Sequence, residues 1–380
     1  MTSINTELLK LIGETFYGDG KAYFQSLSAE QQQTLCSEML TAHLCCWCYR
    51  MLHDVLPADV RNQFRTNYLY RSAQVAQQQK MKEELFALFE EKQIRFAPLK
   101  GADLAFELYP EPVLRYFCDL DILIHPEDTA RALEELTRAQ WLEIPHGGMG
   151  KHHHHFTIRK KQHVALEPHK TLPNFDNVAI SEIWTHIHPV KPGSFQHRLD
   201  PELRLQLLLR HANDHYSESL YKILLDAAHI LQSGAVNMAK SAELAKKWQM
   251  PYPGHFLAAF PDFFPPELLQ QADGAPETAV LYRKLFEHAA ECSKISLHHQ
   301  IASANILNWV WWKKRLFRLD PIVIRNKYHL PPTGAYLRFT AAWIWDFAKK
   351  IGIFFKYAFR RNDHVKQYCS IADEINRHEQ

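Results

Sequence analysis

The sequence predicts an α+β protein: a small mixed sheet flanked by helical segments on its N-terminal and C-terminal sides. Three observations carry this expectation. Apolar residues recur at helical spacing through residues 5–95, short strand-like and helix-like runs alternate over 94–170, and a Leu-rich helical pattern returns after Asp200-Pro201. The chain therefore divides into an N-terminal helical segment (1–93), a sheet-bearing core (94–200) and a C-terminal helical region with an aromatic and basic tail (201–380).

Each element has its own signal. Leu8, Leu9, Leu11 and Ile12 open the first periodic patch. Ser28, followed by Glu30 and Gln31, marks a helix start leading into Leu35, Met39, Leu40, Leu44 and Trp47. A third helix is expected around 71–92 on Leu85, Leu88 and Phe89. At Ile94 the character changes. Arg95 to Leu99 is short and apolar like a strand, Lys100-Gly101 follows, and Ala102 to Leu108 reads as a short helix closed by Pro110 and Pro112. Asp119 to Ile124 is strongly strand-like, and Pro126-Glu127-Asp128 begins a helix through Ala132, Leu133 and Leu136. Gly147, Gly148 and Gly150 mark a turn, after which 156–158 and 163–167 read as paired strands. Leu203 to Leu209 and Ile223 to Leu231 are helical, whereas 251–277, rich in Pro, Phe and Gly, reads as an irregular connection.

Composition excludes several classes. With 380 residues, 46% hydrophobic and 23% charged, the chain can bury a substantial core and is not a disordered one. A formal net charge of +2 gives no global argument for nucleic-acid binding. Seven cysteines, an odd number in a long chain, suit a reducing compartment better than a disulfide framework. Cys45 and Cys48 have a metal-ligand spacing, but no second ligand pair follows them, so Cys45, Cys46 and Cys48 read as an apolar helix face. The first residues carry no cationic and apolar leader pattern, and no run of about 20 apolar residues occurs. A cytoplasmic location is the expectation.

The chemistry concentrates at Asp119 and Asp121. Alternation along a strand places both side chains on one face, where two neighbouring carboxylates need a cation or hydrogen-bond donors. Mg²⁺ or Mn²⁺ together with substrate phosphates supplies that need. Lys100-Gly101, between a strand and a helix, is placed for phosphate contact, and Arg115, four residues ahead of the pair, can neutralise a phosphate or orient an acid. Glu167, on a later strand, is the expected third carboxylate. His169 falls on the same face as Glu167 in a regular strand, with Pro168 between them, and is expected to contact nucleotide or acceptor.

Leu99-Lys100-Gly101-Ala102, Tyr109-Pro110, Arg115 and Asp119-Leu120-Asp121-Ile122-Leu123-Ile124 resemble the signature of the uncharacterised bacterial nucleotidyltransferase family, within the DNA polymerase beta nucleotidyltransferase superfamily. Pro126-Glu127-Asp128 and Ala132 to Leu136 continue the likeness, Leu166-Glu167-Pro168-His169 is similar to the family's acidic-x-His strand, and His211 and Asp226 fit its all-helical C-terminal part. The resemblance implies Asp119 and Asp121 as metal ligands, Glu167 as the third acid, and a nucleoside triphosphate as substrate. Where the superfamily has a Gly-Ser pair after its first strand, this chain has Lys100-Gly101. The expected reaction moves a nucleoside monophosphate to a small-molecule, RNA or protein acceptor and releases pyrophosphate.

Two rivals come from other classes. One is a nucleotide-binding regulatory protein that keeps the fold without the activity. The other is a helical ribonuclease using Arg210 and His215, whose Arg-x4-His spacing sits on one helix. His152 to His155 form a run of four, of which strand alternation allows at most two on a face. In the tail, Trp309, Trp311 and Trp312 precede Lys313, Lys314 and Arg315, and Trp343, Trp345, Phe347, Phe354 and Phe355 mix with lysines. That pattern suits packing onto the body of the protein or weak docking to a membrane surface or partner.

Overall fold

The computed structural model describes residues 5–143, 158–159, 165–214 and 220–290, together with 340–341, 344–345, 370–371 and 374–375. The His152–His155 run, His215 and nearly all of the aromatic tail lie outside the described residues. Five helices come first: α1 (Thr6–Tyr17), α2 (Gly20–Ser26), α3 (Ala29–Thr41), α4 (Cys45–Leu52) and α5 (Ala58–Glu91). Three of their starts are fixed by side chains that satisfy the unpaired N–H groups of a first turn. Asn5 accepts from the Glu7 and Leu8 amides, Asp19 from Ala22, and Ser28 forms a reciprocal capping box with Gln31. α5 begins at Ala58, well ahead of the expected residue 71, and its 34 residues span about 50 Å. Its first third buries only Phe64, too thin a stripe to register as periodicity.

The sheet follows: β1 (Phe96–Pro98), α6 (Lys100–Glu107), β2 (Asp119–Ile124), α7 (Thr129–Arg138), β3 (Leu142–Glu143), β4 (Ile158–Arg159) and β5 (Ala165–His169). Strand order is β1-β2-β5-β4-β3, and only the β2–β5 pair is parallel. The expected α+β class with a small mixed sheet is what is found. Pro168 falls beyond the Ile158–Leu166 pair that joins β4 to β5, so it interrupts no pairing seen among the described residues. Next come α8 (Ile180–Trp184) and a hairpin of β6 (Ile187–Pro189) and β7 (His197–Leu199). The chain then runs through α9 (Pro201–Asp214), α10 (Leu220–Gln232), α11 (Met238–Trp248), α12 (Pro253–Ala258), α13 (Pro266–Ala272) and α14 (Pro276–Ala290). The expectation of an irregular 251–277 is thus corrected. Pro253, Pro266 and Pro276 each stand at the first position of a helix, where the missing N–H costs nothing and the fixed φ favours the turn.

Both faces of the sheet are covered. Leu120, Ile122, Ile124 and Leu166 pack against Met81, Leu85 and Phe89 of α5, Ala102 and Ala105 of α6, and Ala132 and Leu136 of α7. On the other face Ala97 and Leu123 meet Leu172, Phe175, Ile183, Leu203, Leu207 and Trp248. A third and larger core joins α1–α4 to α9, α10 and α12–α14, so the helices that flank the sheet in sequence are one packed body in space. Within it α9 turns Leu205, Leu208 and Leu209 to this core and Leu203 and Leu207 to the sheet, which accounts for its near-continuous leucines. Cys36, Cys45, Cys46 and Cys48 are buried thiols of the same core, and burial pushes Cys46 up to about 12. No helix among the described residues is long and apolar enough to cross a membrane.

Glu90, at the end of α5, staples the β6–β7 turn to the sheet layer. It accepts from Ser194 Oγ at 2.5 Å and from the amides of Gln196 at 2.8 Å and Phe195 at 3.2 Å. Burial works against its ionisation, but these donors outweigh burial and hold the carboxyl below its usual range. A depressed carboxyl stabilises the fold above its unfolded pKa, and the contribution is lost as pH falls through the folded value. Glu90→Ala is expected to cost about 1–3 kcal/mol near neutral pH, and less near about pH 3, by urea denaturation.

Candidate active site

The parallel register of β2 and β5 builds the site. Asp119 stands opposite Ala165, Asp121 opposite Glu167 and Leu123 opposite His169. Alternation turns these odd-numbered residues to the face away from α5, so Asp121, Glu167 and His169 converge. One oxygen or nitrogen from each lies within 4.8 Å of the other two, an arrangement that suits a metal ion. Two carboxylates and an imidazole are ligands for a divalent cation, with the nitrogen suiting Mn²⁺ more than Mg²⁺.

Asp121 is the buried centre of the group, at 3% exposure. Its Oδ1 accepts from Lys100 Nζ at 3.0 Å and lies 2.6 Å from Nε2 of the fully buried His169. Burial alone would raise the Asp121 carboxyl. The Lys100 charge and the His169 hydrogen bond reverse that and hold it well below the carboxylate range. Burial also pushes His169 down, against the pull of Asp121, so the ring is neutral and donates Nε2–H to an ionised carboxylate. The expected direct contact of His169 with substrate is therefore replaced by a contact with Asp121. Asp119, at the mouth, differs from its neighbour: burial and the Asp121 charge raise its carboxyl, opposed by Lys100 and Lys222.

Lys100 is held from several sides. The Leu99 amide donates to Asp121 O at 2.9 Å, and α6 is anchored to α9 by a buried pair, Arg204 Nη2 to Asp103 Oδ1 at 2.8 Å. Lys100 itself has φ +49°, a left-handed conformation that is uncommon for a residue with a β-carbon and that gathers at functional turns. A β-carbon on Gly101 would sit 2.6 Å from Phe117 Cβ and 3.3 Å from Arg115 Nη1, so close approach requires glycine there.

Arg115 is not at the surface where a phosphate contact would be made. It is 6% exposed, and its Nε donates to Asp226 Oδ1 at 2.7 Å and Oδ2 at 2.9 Å while Nη1 donates to Tyr116 O at 2.8 Å. Tyr109 Oη donates to the same Asp226 oxygen at 2.8 Å. A buried guanidinium requires such a partner, and α10 supplies it from more than a hundred residues away. Arg115 thus ties the approach to β2 onto α10. The sequence marks Asp226 as a helical residue but carries no local sign of this pairing, and no sequence signal distinguishes Lys222, one turn earlier, from other helical lysines. On the ribonuclease side, Arg210 Nε is bonded to Asn174 O at 3.2 Å. A depression beyond the carboxyl ends of β2 and β5, lined by Pro126, Lys170, Thr171, Phe175 and Asp176, includes none of the acids.

No curated protein and no solved structure matches the chain. A family model described as uncharacterised nucleotidyltransferase matches residues 28–259, more than half of the chain, from α3 through the sheet and into the C-terminal helices. The chain belongs to this family of uncharacterised nucleotidyltransferases.

Proposed function

We propose that the protein is a divalent-metal-dependent enzyme of the DNA polymerase beta nucleotidyltransferase superfamily. It moves a nucleoside monophosphate from a nucleoside triphosphate, ATP among them, to an acceptor hydroxyl. The observation that carries the reading is the direct opposition of Asp121 and Glu167 across parallel strands, with His169 beside them.

In this reading Asp119, Asp121 and Glu167 hold Mg²⁺ or Mn²⁺, with His169 orienting Asp121 or adding its nitrogen. The metal, when bound, offsets the negative charge of the phosphates and acidifies the acceptor hydroxyl. Glu167, less buried than Asp121, takes the acceptor proton. The acceptor oxygen forms a bond to the α-phosphorus, the bond from that phosphorus to the α–β bridging oxygen breaks, and pyrophosphate leaves with the electron pair. Lys100 and the Gly101 turn are assigned to the triphosphate, where Lys100 adds positive charge beside Asp121. Arg115 is assigned a positioning role through Asp226.

The test is binding of labelled triphosphates to the purified chain with Mg²⁺ or Mn²⁺. Expected is binding that needs the metal and disappears after chelation or in an Asp119→Ala, Asp121→Ala double variant. Binding indifferent to both metal and acids sinks the reading. RNA cleavage that survives the double variant favours the Arg210 and His215 alternative instead.

A further inference from the structure

The site has an unmet charge requirement. Asp119, Asp121 and Glu167 contribute three carboxyl groups, a triphosphate adds more negative charge, and the arginine nearest in sequence is committed to Asp226. A second cation besides Lys100 nevertheless reaches this region. Lys222, in the first turn of α10, is exposed, and its charge favours the ionised forms of Asp119 and of the neighbouring Cys118. In Asp119 it works beside Lys100 against burial and the Asp121 charge, which dominate.

The placement is not incidental to a long flexible side chain, because the helix under it is pinned. Lys222 and Asp226 are four residues apart and share one face of α10. Asp226, 1% exposed, is fastened to Arg115 and to Tyr109. Arg115 in turn lies against Gly101 at the start of α6. The same contacts that withdraw Arg115 from the phosphates therefore bring Lys222 to the mouth of the site beside Asp119.

We propose that Lys222 and Lys100 form a two-lysine clamp for the polyphosphate tail of the nucleotide, with Arg115 and Asp226 as the pair that positions it. The inference rests on the reading of the protein as a triphosphate-dependent enzyme. An ammonium on a flexible stem suits such a clamp, because it is a compact charge that can follow the β- and γ-phosphates as they become pyrophosphate. Stabilisation of that leaving group is then supplied by the helical region and not by the sheet.

The experiment measures binding of inorganic tripolyphosphate and of nucleoside mono- and triphosphates to the full chain with Mn²⁺ present. Variants are Lys222→Met, Lys222→Arg and, as an exposed control on α11, Lys246→Met. Lys222→Met is expected to weaken tripolyphosphate and triphosphate binding by about tenfold or more, the scale of one lost charge-assisted contact. It should leave monophosphate binding within about twofold. Lys222→Arg should restore most of the loss and Lys246→Met should behave as wild type. A structural role for Lys222 would weaken mono- and triphosphate alike, and that result overturns the clamp. Equal tripolyphosphate binding by wild type and Lys222→Met also overturns it, while leaving the triphosphate reading intact. If the wild type binds neither tripolyphosphate nor any triphosphate, the reading itself fails and the clamp falls with it.

Discussion

Asp121→Asn is expected to reduce nucleotidyl transfer by about 10³-fold or more, with the far-UV circular dichroism of the wild type retained. The substitution keeps the shape and one carbonyl oxygen of the side chain, so Lys100 Nζ and His169 Nε2 retain an acceptor. What disappears is the charge. Asp121 is 3% exposed and sits opposite Glu167 at the centre of the metal-suited group, so its negative charge cannot be replaced from solvent. Divalent-cation affinity, followed by calorimetric titration with Mn²⁺, should fall together with activity. An Asp121→Asn enzyme that retains more than about a tenth of wild-type turnover would remove Asp121 from the mechanism.

Asp226→Ala should have the largest effect on stability. It strips the partner from a guanidinium that is 6% exposed and also leaves Tyr109 Oη without its acceptor. Breaking one side of a buried ion pair typically costs about 3–5 kcal/mol, because the remaining charge is stranded. Removing both charges, as Arg115→Met with Asp226→Leu, should recover a substantial part of that loss. Urea midpoints of the single and double variants provide the comparison. A loss below about 1 kcal/mol in Asp226→Ala would mean that Arg115 has other sufficient support.

The pattern of what the sequence discloses follows from the range of each interaction. β2 is legible to the residue, since alternation within six residues names both the strand and the acid pair. β5 and the shared face of Glu167 and His169 are legible for the same reason, despite Pro168. The bond between His169 and Asp121 depends on strands 48 positions apart adopting one register, and nothing local encodes it. Arg115 is the sharper case. Its type and its position four residues before Asp119 suit a phosphate ligand, yet a partner 111 positions later captures it. The proline-led helices of 253–290 are hard to read because proline marks helix starts as well as breaks. Division into N-terminal helices, core and C-terminal helices follows the chain, whereas packing merges the two helical parts into one hydrophobic core.

Attack at the α-phosphorus, the central claim, is tested most directly by the fate of two labels. The purified chain is incubated with Mg²⁺ or Mn²⁺ and each triphosphate, labelled in parallel at the α- and γ-phosphate, with pools of sugar phosphates, RNA ends and proteins as acceptors. The α-label should pass to an acceptor, the γ-label should emerge as pyrophosphate, and both signals should vanish in the Asp119→Ala, Asp121→Ala variant. Transfer of the γ-label with release of a nucleoside diphosphate, or α-label transfer that survives loss of the two aspartates, would contradict the claim.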